Sequence, residues 1–250
     1  MIILKSKEEI ENIKKASEIV AKVLFYIEEY IKPGVSTKKL NDIIDRMIRK
    51  MGGIPAFLGY KGFPASACIS VDNEVVHGIP SDKKILEEGS IVKIDVGVNK
   101  NGFFGDGAKT YKVGKVDSEI EKLISVTEKA LYLGINQARP FKRVGDIGFE
   151  IQSYVESHGF SVVRDLAGHG IGYYLHEEPM VPNYGKSGQG PLLKKGLVLA
   201  IEPMVNMGSH EVKVLDDKWT IVTLDGKPSA HFEHTVLVDD EPIILTANFN

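Results

Sequence analysis

Apolar residues recur at helical spacing in two runs at the start of the chain. The first run begins at a capping box, Ser6 to Glu9, and Pro33-Gly34 ends it. Its apolar positions are Ile10, Ile13, Val20, Val23, Leu24, Ile27 and Ile31. The second run ends at Gly52-Gly53, and its apolar positions are Leu40, Ile43, Ile44, Met47, Ile48 and Met51. This spacing predicts two amphipathic helices.

The same helical pattern returns 107 positions later in the chain. The pairs at this spacing are Pro33 and Pro140, Leu40 and Ile147, Ile44 and Ile151, Ile48 and Val155, and Gly52 and Gly159. A third helix is predicted over about residues 118–138, and a fourth over the positions that match the second. Each helix pair is followed by β-type segments, at 67–76 and 91–113, and then at 162–163, 197–201, 219–224 and 231–238.

The repeated order of helices and strands defines the predicted architecture. We expect an α+β fold in a single domain over residues 1–250, made of two pseudo-symmetric halves at about 5–115 and 116–245. No linker or low-complexity tract separates these halves. The helices would cover one face of a shared, largely antiparallel sheet, and the other face would be left for a site.

Two aspartates lie inside the most strand-like segment, residues 91–113. Asn101-Gly102 is a hairpin turn signal, and with these two residues as the loop Asp95 and Asp106 become diagonal neighbours on one face. If the turn lies one residue earlier, the two side chains are directly opposite. Unpaired carboxylates within apolar strands are unfavourable. Either a divalent cation lies between them, or both aspartates reach water at the strand ends.

The second half of the chain places further metal-type ligands in strand contexts. Glu202 ends an apolar strand, and Glu233 is expected in the middle of one, with His231 on its face and His234 on the other. His169 lies between glycines, which disfavour a helix. The candidate metal ligands are therefore Asp95, Asp106, His169, Glu202 and Glu233. Four carboxylates and one neutral imidazole balance two divalent ions, and this donor set suits Mn, Fe, Co or Zn.

Composition narrows the class of protein. The chain has 250 residues, of which 43% are hydrophobic and 26% charged, and its net charge of −3 favours neither a dedicated nucleic-acid binder nor a membrane binder. Its one cysteine, Cys68, excludes an internal disulfide and fits a reducing compartment. The N-terminus lacks the apolar core of a signal peptide, and no apolar run reaches membrane-spanning length. We expect a cytoplasmic protein.

Seven short motifs then identify a family. They are VHGIP at 76–80, IDVG at 94–97, GD at 105–106, GHGIG at 168–172, HEEP at 176–179, IEPM at 201–204 and EHT at 233–235. In content and order the chain resembles the methionine aminopeptidases, over nearly its whole length. It is similar to their short, type I form, because we expect no N-terminal extension and the interval from His176 to Glu202 is short. The resemblance implies the pseudo-twofold "pita-bread" fold.

The resemblance also implies a role for each candidate residue. Asp95 would bind one metal ion, His169 and Glu202 the other, and Asp106 and Glu233 both. A hydroxide bridging the ions would attack the first peptide carbonyl, with Glu202 as a proton shuttle. His176 would donate a hydrogen bond to that carbonyl, and His77 would contact the scissile amide nitrogen. The side chain of methionine would be enclosed by Tyr60, Phe63, Cys68, Leu175 and Trp219.

The sequence leaves several alternatives open. The expected substrates are nascent polypeptides whose second residue is small, and the expected state is a monomer, with ribosome association undecided. Phe63 and Leu175 depart from the Tyr and Phe that bacterial relatives often have, so the shape of the pocket is less determined. A peptidase specific for proline shares the fold, although such relatives generally carry an additional N-terminal domain. A third alternative is a binding protein without catalysis, which should have lost some of the five ligands.

Overall fold

The computed structural model describes residues 2–247. Residues 1 and 248–250, the ends of the predicted domain, lie outside the described residues. The helices are α1 (Lys7–Ile27), α2 (Thr37–Lys50), α3 (Ser118–Ile135) and α4 (Val144–Ser157), with short 3-10 turns at Glu28–Tyr30 and Tyr60–Gly62. None of the helices within 2–247 has the length and apolar character that crossing a bilayer requires.

The strands form one large sheet and two small ones. They are β1 (Ile54–Pro55), β2 (Cys68–Val71), β3 (Glu74–Val76), β4 (Ile91–Lys100), β5 (Phe103–Lys112), β6 (Ser161–Val162), β7 (Ala167–Gly170), β8 (Glu177–Pro182), β9 (Val198–Ile201), β10 (Met204–Asn206), β11 (Val212–Val214), β12 (Ile221–Thr223), β13 (Ser229–His231), β14 (Glu233–Leu237) and β15 (Ile243–Ile244). The large sheet has the order β1-β4-β5-β14-β9-β7-β8, with β2 paired to β4 and β15 to β14. All of these pairings are antiparallel.

The helices confirm the predicted periodicity and refine its limits. Ser6 caps α1 with the expected capping box, but the α-helix ends at Ile27 and a 3-10 turn replaces its last predicted turn. The second helix of each pair begins at Thr37 and at Val144, the same 107-residue spacing as in the sequence. The division of the domain into two related halves stays a prediction.

Two helix layers bury the same face of the large sheet. Side chains of α1 and α2 pack on alternate residues of β4, including Val92, Ile94 and Val96, in one core cluster. Side chains of α3 and α4 pack on Leu199, Ile201 and Val236 in a second cluster. Because side chains alternate along a strand, Asp95 points to the opposite face. That face, opposite the two helix layers, is the one on which the sequence predicts a site.

The β4–β5 hairpin has the first of the two predicted registers. The paired positions include Lys100 with Phe103, Gly97 with Asp106, and Asp95 with Ala108. The turn residues Asn101 and Gly102 have φ values of 56° and 83°. Two successive residues in the left-handed region define the tight turn that matches strand twist, which explains the Asn-Gly pair. Asp95 and Asp106 are therefore diagonal neighbours.

In the large sheet, the strands before residue 116 meet the later ones where β5 pairs with β14. We call this contact the β5–β14 junction. Its ladder joins Glu233 to Ala108 and His234 to Gly107. By comparison, β4 and β5 are paired along ten successive positions, from Ile91–Lys112 to Lys100–Phe103. The junction places Asp106 next to Glu233, so it is also the place where the candidate site is assembled.

Candidate metal centre and cavity

A cavity of about 170 Å³ opens on the face of the sheet that carries Asp95 and Asp106. All twelve candidate site residues line it, namely Tyr60, Phe63, Cys68, His77, Asp95, Asp106, His169, Leu175, His176, Glu202, Trp219 and Glu233. Phe57 and Lys61 complete the lining among the described residues. The structure thus brings together residues that are up to 173 positions apart in the chain, from Tyr60 to Glu233.

Three of the candidate metal ligands form a buried cluster. Ligand atoms of Asp106, His169 and Glu233 all lie within 4.8 Å of one another. Asp95 is adjacent, because the register of the β4–β5 hairpin makes it the diagonal neighbour of Asp106 on the same face. Glu202 approaches from the other side, with its Oε1 3.5 Å from the Nε2 of His169. The five side chains therefore surround one small space.

The electrostatics of this cluster are unfavourable without a cation. Burial raises the pKa of Asp106 to about 7. Burial and the neighbouring carboxylates raise the pKa values of Asp95, Glu202 and Glu233 well above their ordinary values. Like charges that are withdrawn from water disfavour ionisation of every member of the group. A divalent cation would reverse this effect, since it stabilises the ionised form of each carboxylate.

The unsatisfied polar atoms support the same conclusion. Within residues 2–247, the buried Oδ1 of Asp95 and Oε1 of Glu233 have no hydrogen-bond partner. Burial lowers the pKa of His169 to about 4, which leaves its ring neutral, and its Nδ1 is 2.9 Å from the carbonyl oxygen of Gly170. This contact assigns the ring proton to Nδ1 and leaves the lone pair of Nε2 free for a metal ion. The donor set fits divalent metal ions.

His169 lies in β7, a strand that is difficult to predict from the sequence because glycines surround the histidine. The strand pairs with both β8 and β9. A Cβ on Gly170 would collide with the backbone carbonyl of Glu178, so a glycine is required for the two strands to approach. The glycine-rich segment is therefore a closely packed strand, and this packing fixes the backbone that carries His169.

Glu233 occupies a different position in its strand from the predicted one. The ladder is interrupted at Phe232, so Glu233 begins β14 and does not lie in the middle of a continuous strand. The N–H of Phe232 is turned toward the carbonyl oxygen of Pro203, 3.4 Å away. The expectation of one strand over 231–238 was thus wrong. His231 ends the preceding strand, β13, with its Nε2 3.8 Å from Glu202 Oε2.

The two candidate histidines that are not metal ligands border the cavity. His77 has a φ of 58°, a left-handed conformation that is uncommon outside glycine and is concentrated at functional sites. Burial lowers the pKa of His77. The ring of His176 is 4.2 Å from that of His169, centroid to centroid, and its Nδ1 is 2.9 Å from the hydroxyl of Tyr60. Desolvation and the nearby His169 lower the pKa of His176, so the ring is neutral at neutral pH.

The apolar wall of the cavity contains the predicted pocket residues. The rings of Phe63 and Trp219 meet edge to face with centroids 5.1 Å apart. Phe63, Cys68 and Leu175 belong to one core cluster, against which Tyr60 and Trp219 pack. Burial and the nearby carboxylates raise the pKa of the Cys68 thiol well above its ordinary value, which keeps it an uncharged part of the wall.

Three residues near the site were not identified from the sequence as lining or contacting it. Phe57 and Lys61 lie in an irregular segment without periodicity, so no pattern distinguishes them. Lys61 is exposed at the rim, with its Nζ 5.4 Å from the centre of the Tyr60 ring. His231 was placed on the same face as Glu233, and this alternation was the available signal that it would approach the ligands.

Comparison with known proteins agrees with the geometry. The metallopeptidase family M24 matches residues 11–240. A methionine aminopeptidase from Clostridium perfringens is 53% identical over 247 residues, which are 98% of this chain and 99% of the relative. The crystal structure of a methionine aminopeptidase from Thermotoga maritima superimposes with a TM-score of 0.98 at 44% identity, over 99% of this chain and 100% of that one.

A more distant solved structure shows the wider fold family. A prolidase from Pyrococcus furiosus matches with a TM-score of 0.80 at 25% identity, and the likeness covers 99% of this chain but 66% of the prolidase. The pita-bread fold is thus confirmed. The resemblance to methionine aminopeptidases is confirmed as well, and the chain belongs to the metallopeptidase family M24.

Proposed function

We propose that the chain hydrolyses the bond that follows an N-terminal methionine in peptides and nascent proteins. The observation that carries this function is the convergence of four carboxylates and His169 on a cavity that also holds His77, His176 and an apolar wall. Membership of a metallopeptidase family makes the chain a hydrolase. The methionine aminopeptidases that it matches over almost their full length supply the substrate class.

Two divalent metal ions complete the proposed site. Asp95 would hold one ion, His169 and Glu202 the other, while Asp106 and Glu233 would contact both. Such ions, when bound, supply Lewis acidity that polarises a peptide carbonyl and activates water. Mn, Fe, Co and Zn all accept this set of oxygen and nitrogen donors. A titration of the metal-free protein should reach two equivalents of Mn or Co.

The protein's own groups act on the substrate and on protons. The hydroxyl of Tyr60 lies 2.9 Å from Nδ1 of His176, and we assign the hydroxyl as the donor, which places the ring proton on Nε2. Nε2 can then donate a hydrogen bond to the scissile carbonyl, and this bond strengthens as negative charge develops on the oxygen. His77, on the same cavity, is placed to contact the amide nitrogen. Glu202, on the same cavity, is placed to pass a proton to the departing amine.

The apolar wall explains the preference for methionine. Phe63, Leu175 and Trp219 present carbon-rich surfaces, and Cys68 adds a polarizable sulfur atom. A thioether gains favourable contacts with both aromatic rings and sulfur. A cavity of about 170 Å³ has little space beyond one side chain and the reacting groups, which fits a site that takes a single residue.

The decisive experiment is peptide cleavage by the metal-loaded protein. Met-Ala-Ser should lose its methionine. Ala-Ala-Ser should be cleaved at least about tenfold more slowly, because it lacks the thioether side chain and each 1.4 kcal/mol of lost contact reduces the rate tenfold. Met-Lys-Ser should also be cleaved more slowly, because the small cavity leaves little space for a large second residue. Asp106→Asn is the inactive control, since it removes one carboxylate from the cluster. Absence of methionine release with any of Mn, Fe, Co and Zn would contradict the proposal.

The same panel separates the alternatives. Faster cleavage of Ala-Pro than of Met-Ala would indicate a proline-specific enzyme, such as the prolidase with which the chain shares its fold. Failure to bind any metal would indicate a binding protein.

We further propose a monomer that acts on nascent chains in the cytoplasm, a placement that the single cysteine favours. Cosedimentation with ribosomes would test whether the protein acts on nascent chains at the ribosome.

A further inference from the structure

The loop between β7 and β8 carries Leu175 and His176 to the cavity, and Glu177 follows directly after the loop. The Oε1 of Glu177 accepts hydrogen bonds from the backbone N–H groups of Tyr173, at 2.7 Å, and Tyr174, at 3.1 Å. Both donors precede His176 by two or three residues. The carboxylate therefore ties the start of the loop to its end and sets the direction in which His176 leaves the backbone.

The other oxygen of Glu177 is paired with Lys5, which is 172 positions away in the chain. The Nζ of Lys5 lies 2.6 Å from Glu177 Oε2, and the two side chains are 0% and 3% exposed. Lys5 is itself held in place, because its N–H donates to the carbonyl oxygen of Gly196 at 2.8 Å. Burial of a carboxylate to this depth is costly unless a cation compensates its charge.

Lys5 also fills the space beneath the loop. A Cβ on Gly172 would collide with Cε of Lys5, so the loop packs directly on the lysine stem. The Nζ lies 5.5 Å from the centre of the Tyr173 ring, and that ring also packs on the ring of Phe103, with centroids 5.2 Å apart. Movement of the lysine would therefore displace the backbone that leads to His176.

We propose that Lys5 and Glu177 are positioning residues that hold His176 at the distance its hydrogen bond to the substrate carbonyl requires. The inference rests on the role proposed above for His176. Neither Lys5 nor Glu177 is among the described residues that line the cavity, so both act through the loop. Tyr60 restrains the ring of His176 from the opposite side, and Lys5 with Glu177 restrains its backbone.

The test replaces Lys5 with methionine, which keeps the length of the stem and removes the charge. We expect kcat for Met-Ala-Ser to fall by roughly 10- to 100-fold, the usual effect of a misplaced catalytic group, with a much smaller change in KM. The affinity for Mn should be unchanged by calorimetry. In a His176→Ala background, Lys5→Met should have no further effect. An equal loss of activity in both backgrounds would show that Lys5 acts elsewhere and would overturn the proposal.

Two variants serve as controls. Lys84→Met breaks a partly buried ion pair with Glu74, whose two members lie in other segments of the chain than the loop, and it should leave kcat within about twofold. The double variant Lys5→Met with Glu177→Gln removes the uncompensated charge but keeps an oxygen for Tyr173 and Tyr174. It should fold and recover most of the activity that Lys5→Met loses. No recovery would mean that the uncompensated carboxylate is not the cause of the loss.

Amide hydrogen exchange tests the inference without any reliance on activity. In Lys5→Met the amides of residues 172–177 should exchange at least about tenfold faster than in the original protein, while those of β4 and β5 should be unchanged. Unchanged exchange in the loop would overturn the proposal. If the original protein released no methionine, the proposed function would be wrong, and the exchange data would still decide whether Lys5 and Glu177 hold this loop.

Discussion

Asp106 and Thr235 exchange two hydrogen bonds across the β5–β14 junction. The N–H of Asp106 donates to the Oγ1 of Thr235 at 3.0 Å, and that hydroxyl donates to the carbonyl oxygen of Asp106 at 2.7 Å. The threonine side chain thus replaces the next backbone pair of the ladder, beyond His234 and Gly107. It keeps Asp106 beside Glu233, although the strands themselves diverge there.

Replacement of Thr235 by valine should weaken the fold and the metal site together. Valine keeps the shape of the side chain but leaves the buried N–H and carbonyl of Asp106 without partners, which destabilises by about 1–3 kcal/mol. Urea denaturation of the metal-free protein would measure this loss, and calorimetry should show weaker binding of Mn. Thr235→Ser, which keeps the hydroxyl, is the control. Equal stability of the valine and serine variants would refute the role of the hydroxyl.

The raised pKa of Asp106 predicts a pH dependence for the metal-free protein. Burial raises this pKa from 3.8 to about 7, so the folded state binds the proton more tightly than the unfolded chain does. The contribution of Asp106 to stability is then fully present below pH 3.8 and is lost as the pH rises through about 7. Relative to Asp106→Asn, the metal-free protein should become less stable over this range, as measured by urea midpoints.

The comparison with Asp106→Asn is needed because buried histidines act with the opposite sign. Burial lowers the pKa of His169 to about 4 and that of His231 to about 3, so these groups reduce stability as the pH falls below 6.5. Both proteins share these histidines, and their contributions therefore cancel. Saturation with Mn should remove the difference in slope, since the cation keeps the carboxylates ionised. A difference that does not vary with pH would exclude a raised pKa.

Tyr60→Phe tests the assigned tautomer of His176. Without the hydroxyl 2.9 Å from Nδ1, the imidazole is free to carry its proton on either nitrogen and to rotate. We expect kcat for Met-Ala-Ser to fall by about tenfold, less than the 10²–10³ that follows removal of an oxyanion donor. KM should change little, because Phe preserves the apolar wall. A loss confined to KM would assign Tyr60 to the pocket alone.

Trp219 should report on the methionine pocket. It is the only tryptophan in the chain and packs edge to face on Phe63. Addition of free methionine to the metal-loaded protein should therefore change the intrinsic fluorescence, with saturation at one equivalent per site. Trp219→Ala should raise KM for Met-Ala-Ser about tenfold through lost apolar contact, while Trp219→Phe should retain most of the affinity. An unchanged KM in the alanine variant would remove Trp219 from the pocket.

The register of the β4–β5 hairpin could be predicted from the sequence because local chemistry determines it. Asn101-Gly102 favours one turn type, and the alternation of side chains then places Asp95 and Asp106 on one face. The helices were predictable for a similar reason, since their apolar stripes have a single period. In both cases neighbouring residues contain the information.

Long-range packing determined what could not be predicted. The strands β7 and β8 contain glycines and prolines that argue against regular structure, and they are strands because β8 pairs with β7 and β7 pairs with β9. The interruption at Phe232 depends on Pro203, 29 positions earlier. Lys5 resembles an ordinary surface lysine in the sequence, and its burial follows from contact with a loop near residue 175.

The position of the five donors affects the stability of the protein as well as its catalytic activity. Asp95 and Asp106 lie on one side of the β5–β14 junction and Glu233 lies on the other, where the ladder is short. Cations held between them would stabilise the pairing of β5 with β14. In a cell that lacks the working metal, more molecules would open at the β5–β14 junction and be degraded by proteases. Metal scarcity would then lower the amount of the protein as well as its activity.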